Sequence, residues 1–155
     1  MSATDRAFDS RPMPRLRSVE AAGDLRIRVV WAEGPRAGTA ETVDLAPLIH
    51  QFKTYKPLRK GRVFEAVSLA DGGRTLEWAD GEIDMAATSV ERLAEEQMTG
   101  EDFRRFLERN KLTRHAAAAA LGRSLRMIQE YVQMDGLLPR VVALACLAYE
   151  HRRNA

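Results

Sequence analysis

The 155-residue sequence predicts two domains: a small α+β domain, an antiparallel meander with short helices, and then an all-α bundle of four or so helices. Three observations carry this expectation. Apolar and charged residues alternate with period two from Arg15 onward, Gly-Asp and Asp-Gly pairs punctuate that alternation, and apolar spacing of three and four takes over after Met85. Charge divides at the same place. Residues 1–98 hold 14 Lys and Arg against 16 Asp and Glu, a net −2, whereas residues 99–155 hold 10 against 6, a net +4. A basic C-terminal part beside a mildly acidic N-terminal part fits a nucleic-acid-binding module joined to something else. A solvated basic face with no partner is the plainer reading of the same numbers.

The totals exclude several classes. An apolar share of 45% and a charged share of 30% are those of an ordinary globular chain. No apolar run is long enough to span a bilayer, and MSATDRAFDSRPM lacks the apolar core of a signal peptide, so no membrane partner is expected. The single cysteine, Cys146, excludes an internal disulfide framework and fits a reducing compartment. A soluble cytoplasmic protein is the expectation.

Residues 1–13 are polar and are expected to form a flexible tail, with the α+β domain over 14–97. RLRSVEA and LRIRVVW, separated by Gly23-Asp24, predict a hairpin of roughly 15–21 and 25–32. GPRAGT (34–39) reads as a loop and AETVDL as a third strand, with Asp44 placed to cap a short helix through LAPLIH. VFEAVSL (63–69) returns to strand character. Asp71-Gly72-Gly73 turns the chain into RTLEW, and Asp80-Gly81 turns it into EIDM, because glycine tolerates the positive φ of tight turns. ATSVERLAEEQ then has helical spacing, with Val90, Leu93 and Ala94 on one face, and Trp31 and Trp78 are read as core.

MPRLRSVEA, LRIRVVW, VDLAPLI, VFEAV and LEWADGEIDMAATSVERLAEE, in that order, resemble the small bacterial domain-of-unknown-function family 2442 over about residues 13–97. The segment Trp78 to Asp84, W-x-D/N-G-x-x-D, is the most specific part. The chain departs from the family in the GPRAGTAET loop and in the long HQFKTYKPLRKGR connection. The resemblance implies a compact fold with no established activity. It also implies kinship with short proteins that resemble one half of a toxin–antitoxin-like pair.

Little in this part suggests chemistry. His50, His115 and His151 are far apart, and no His, Cys and carboxylate cluster has metal-ligand spacing. Gly72-Gly73 sits in a turn between strands and is no phosphate loop. Asp80, Glu82 and Asp84 read as turn and strand-edge solvation rather than paired acid–base carboxylates. No enzyme, metal or cofactor is expected.

The helical domain is expected over 99–155. Thr99 starts TGEDFRRFLERN with Asp102 at the third helical position as a partial capping box, and Phe103, Phe106 and Leu107 form its apolar face. Lys111-Leu112 closes that helix. Thr113 caps RHAAAAAL, Gly122 is its left-handed stop, and Ser124 caps LRMIQEYVQ. Asp135-Gly136 ends the third helix, and Pro139 suits the first turn of RVVALACLAYEHRR. On that last helix Val141, Leu144, Leu147 and Ala148 recur as a core face, with dimerisation the second use for them.

Two short helices on either side of a tight glycine turn, flanked by two more, make the helix-turn-helix arrangement. With Arg114 as its first residue, Ala118 falls at the closest helix crossing, Gly122 on the turn, and Leu121, Ile128 and Tyr131 on buried positions. This spacing and PRVVALA resemble the phage-repressor (Cro/repressor) family over roughly residues 99–150. Ala117 faces the core where that family more often has leucine, leaving space for Phe103 or Tyr131 to fill.

In this class the second helix of the motif lies in the major groove. That would put Arg126 against guanine, Gln129 against adenine, Leu125 against a thymine methyl and Glu130 against cytosine. Thr113, Arg114, Arg123, Ser124 and Gln133 are placed for phosphate contacts. The expected function is a DNA-binding transcriptional regulator acting on double-stranded DNA as a homodimer. Its N-terminal domain would sense, dimerise or hold a partner. The alternative is an antitoxin-like protein, with a toxin-like partner, whose helical domain does not read DNA.

Overall fold

Alternating side chains build the first sheet. The computed structural model describes residues 12–154, and in it β1 (Arg15–Ala21), β2 (Arg26–Glu33) and β3 (Ala40–Asp44) pair antiparallel in that order. Ile27, Val29 and Trp31 of β2 are fully buried while Arg26 and Arg28 face solvent, and Ile27 stands opposite Val43. Consecutive positive φ values at Gly23, Asp24 and Leu25 make the first turn, so β2 starts one residue later than expected. The tail expected over 1–13 lies outside the described residues except for Pro12 and Met13, which are exposed and irregular.

A long connection follows: α1 (Ala46–Gln51), a 3-10 helix (Lys53–Arg59) and α2 (Gly61–Phe64). A second antiparallel sheet then forms from β4 (Ser68–Ala70), β5 (Thr75–Trp78) and β6 (Ile83–Ala86), and α3 (Ala87–Glu95) closes the unit. The expected single meander is therefore two three-stranded sheets, because the connection parts β3 from β4.

Two local expectations are corrected. The strand predicted over 63–69 is helical at its start, where Val63 and Phe64 end α2, and strand begins only at Ser68. The Phe64 carbonyl accepts the buried Trp78 Nε1–H at 3.0 Å and the Phe64 ring stacks on Trp78 at 6.1 Å, an anchorage that an extended Phe64 would lose. Asp44 does not occupy the cap position of α1, where Leu45 stands; its carboxylate instead accepts the Ala46 N–H at 3.0 Å. Trp31, core as expected, donates Nε1–H to Glu41 at 2.8 Å. Burying both indoles with their N–H groups satisfied secures their apolar area without an orphaned donor.

Contacts divide the chain into two compact units that part between Ala94 and Glu95, a few residues before the boundary expected from sequence. The second unit holds α4 (Gly100–Arg109), α5 (Arg114–Leu121), α6 (Leu125–Gln133) and α7 (Arg140–Arg153). Its core is Met98, Phe103, Phe106, Leu107, Ala117, Ile128, Tyr131, Val132, Leu138, Val142, Ala143 and Cys146. Phe103 stacks on Phe106 and meets Tyr131 edge to face at 5.8 Å, in the same core as the buried Ala117.

The face expected to be core on α7 is the wrong one. Val141, Leu144 and Leu147 are 56%, 40% and 42% exposed, and Ala148 is exposed too. Val142, Ala143 and Cys146 go inside instead. The helix is tied down near its C-terminal end: Glu150 takes Arg109 of α4 in a two-bond ion pair and Arg153 donates to the Asn110 carbonyl. Pro139 stands at the cap position just before the helix rather than in its first turn.

Burial, reinforced by the Glu150 carboxylate, pushes the Cys146 thiol up to about 12. Native protein should therefore resist alkylation at pH 8, and denatured protein should react. The sign of the linkage follows. A thiol held protonated in the fold stabilises it fully below the unfolded value near 9, and that stability fades as pH climbs toward the folded value. In urea titrations any stability gap in favour of the natural protein over Cys146→Ala should shrink between pH 8 and pH 10; a constant gap would contradict the assignment.

Candidate nucleic-acid interface

Short-range hydrogen bonds fix the pair α5 and α6. Thr113 Oγ1 accepts the Ala116 N–H at 3.1 Å, and Ser124 Oγ accepts the Met127 N–H at 3.2 Å. Between the two helices Gly122 is left-handed at φ 65°, and the Gly122 and Arg123 N–H groups both return to the Ala118 carbonyl. A side chain with a Cβ rarely adopts such a φ, which is why glycine suits this place. Ala117 is buried and Ala118 half-buried, whereas Ala116, Ala119 and Ala120 face solvent. Of the alanine run, only Ala117 and Ala118 are held small by packing.

α6 has two faces. Ile128, Tyr131 and Val132 are buried, while Arg126, Gln129, Glu130 and Gln133, at i, i+3, i+4 and i+7, share the exposed face. Leu125 is half-buried at the first turn. Thr113 and Arg114 are exposed at the start of α5, and Arg123 (half-buried) and Ser124 (exposed) lie in the turn. All nine residues singled out from sequence thus lie on α5, α6 or their junction. Arg126 is also paired: its Nε lies 3.4 Å from Glu130, with the side chains 88% and 58% exposed. A pair so open to water is worth about 0–1 kcal/mol, so a ligand can displace it at small cost. The other members make no bond to one another.

Sequence reasoning missed what holds α6 from behind. Arg104 Nη1 of α4 donates to the Val132 carbonyl in the last turn of α6. Thr99 and Asp102 close a full capping box at the start of α4, with Oδ2 of Asp102 accepting the Thr99 N–H at 2.9 Å. Arg104 lies 28 residues from Val132, and no local pattern signals that contact.

Other candidates do not assemble. His50, His115 and His151 are exposed on α1, α5 and α7. Among the described residues no group of three His, Cys, Asp or Glu is arranged to hold a metal ion, and no helix is long and apolar enough to cross a membrane. Asp80, Glu82 and Asp84 are exposed along a turn and a strand edge.

No family model matches the chain, so neither family resemblance gains support from that comparison. No curated protein matches it. A crystal structure of a candidate DNA-binding protein from Nitrosomonas europaea is similar to it, at 31% identity over 90% of this chain and 88% of that one, with a TM-score of 0.45.

Proposed function

We propose that α5 and α6 form a helix-turn-helix that binds double-stranded DNA, α6 entering the major groove, and that the protein is a cytoplasmic transcriptional regulator rather than an enzyme. One observation carries the reading: a capped helix with a buried face presents Arg126, Gln129, Glu130 and Gln133 together to solvent, entered through a three-residue turn with a left-handed glycine. Arg126 and Gln129 have the donor forks and amides that read guanine and adenine, and Leu125 and Glu130 suit a thymine methyl and cytosine. Thr113 and Ser124 accept a bond in capping their helices, which leaves each hydroxyl proton to donate to a phosphate. Arg114, Arg123 and Gln133 border the same face.

Dimerisation belongs to this reading. Two-fold operators match two-fold proteins, and exposed Val141, Leu144, Leu147 and Ala148 offer an apolar strip for a second copy. The Arg126–Glu130 pair favours a second reading, an antitoxin-like partner for another protein, because Glu130 cancels the positive charge of Arg126 on the exposed face of α6. Salt separates the two. Phosphate binding weakens steeply with salt, whereas an apolar interface responds little.

The test is fluorescence anisotropy of the intact protein on labelled DNA from upstream of its own gene, against a scrambled duplex. Arg126→Ala should lower the preference for the upstream duplex by roughly 5- to 150-fold, the worth of one bidentate base contact. An unchanged preference would remove Arg126 from the docking face.

A further inference from the structure

We propose that the N-terminal unit carries a second DNA-contacting surface, a row of basic side chains along the 3-10 helix Lys53–Arg59 that binds the phosphate backbone; the proposal rests on the DNA-binding reading above and adds to it a contact outside the helical unit. The charge comes first. Between Asp44 and Glu65 the chain carries Lys53, Lys56, Arg59, Lys60 and Arg62 and no acid. All five are exposed. Basic runs of this density suit polyanions.

The backbone then sorts these charges. A 3-10 helix has three residues per turn, so side chains at i and i+3 eclipse, with a rise of about 6 Å per turn. Lys53, Lys56 and Arg59 therefore stand in one row along the seven-residue helix. Tyr55 and Leu58 form the neighbouring row, Leu58 fully buried and Tyr55 half-buried, and this row fixes the helix on the core. Pro57, inside the helix, restrains φ near a helical value.

Among the described residues the side chains of exposed Arg17 and Arg28 are unpaired too, but several other cations are not. Arg15, Arg36, Arg105, Arg109 and Arg140 are tied to Glu33, Glu41, Glu101, Glu150 and Glu96. The side chains of Lys53, Lys56, Lys60 and Arg62 make no hydrogen bond or ion pair with any other described residue, and that of Arg59 gives one bond, to the Ile49 carbonyl at 3.3 Å. In the neighbouring row, burial first and then the Asp84 carboxylate raise the pKa of the Tyr55 hydroxyl. Regularly spaced, exposed charge matches a regular polyanion better than a shaped protein surface. The same chain holds the helical unit, so DNA bound there raises the local concentration of phosphate for this row.

Anisotropy of the full-length protein on a 30-base-pair duplex from upstream of its own gene, titrated across salt, tests the assignment. Lys53→Gln with Lys56→Gln should reduce the slope of log affinity against log salt by about 1.8, two phosphate contacts at 0.9 each, with thermal melting unchanged. Arg17→Gln with Arg28→Gln removes the same charge from the first sheet and should leave the slope alone. An equal fall in that control overturns the proposal, because net charge would then explain the effect. If the lysine variant keeps the full slope while Arg126→Ala loses its preference, the DNA reading stands and the row is left to an acidic protein partner. If the unsubstituted protein binds no duplex at the lowest salt, both readings fall.

Discussion

Gly100→Ala should destabilise the helical unit by about 3 kcal/mol, at the severe end for an added methyl in a packed interior. Gly100 opens α4 at a buried position where the backbone of α6 passes by. A Cβ built there would lie 1.9 Å from the Met134 carbonyl oxygen, 2.9 Å from its carbon and 3.0 Å from the Tyr131 oxygen. All three are backbone atoms at the end of α6, so no side-chain rotamer can relieve the overlap. Either α4 withdraws, exposing Phe103 and Phe106 and lengthening the Arg104 bond to Val132, or the end of α6 shifts. In a unit of this size the loss corresponds to a melting shift of roughly 12–24 °C. Gly136→Ala is the matched control. It meets nothing within 4 Å and has no positive φ, so its effect should stay within about 0.5 kcal/mol. Equal melting of the two variants would mean that α4 and α6 do not approach in this way.

The same residue shows where sequence reading stops. Thr99, Asp102, Thr113, Gly122 and Ser124 were legible because a cap is settled within three or four residues, and once Ser124 fixes the start of α6 the phase of Arg126, Gln129, Glu130 and Gln133 follows. Gly100 and Arg104 were not legible, because the atoms they meet lie about thirty residues away. α7 failed for another reason. VVALACLAY is apolar on nearly every side, so spacing alone cannot choose between the stripe of Val141 and Leu144 and that of Val142 and Cys146. Arg109 and Asn110, some 40 residues upstream, make the choice by binding Glu150. VFEAVSL misled because short apolar runs suit a strand or a turn of helix equally, and the deciding contact is the Trp78 indole on Phe64.

Gly73→Ala should be as severe in the N-terminal unit, and there it also tests how the chain is divided. Gly73 has φ 93°, where an L side chain is strained, and a Cβ would fall 2.1 Å from the Leu16 carbonyl oxygen. Leu16 is a core residue of β1 at a point where the register with β2 shifts, so its carbonyl cannot retreat without disturbing both the strand and the core beneath it. Strain at φ of about 1–3 kcal/mol adds to an overlap of similar cost, so a loss of at least about 3 kcal/mol is expected. Gly61→Ala, with nothing within 4 Å, should be nearly neutral. If the units fold independently, calorimetry of Gly73→Ala will show one transition lowered and another in place. The variant should then keep its preference for the upstream duplex, since Arg126 and Gln129 lie in the untouched unit, while its salt slope falls with the loss of the Lys53 row. A single transition lowered as a whole, with the preference lost, would instead make the N-terminal sheets part of the structure that holds α6.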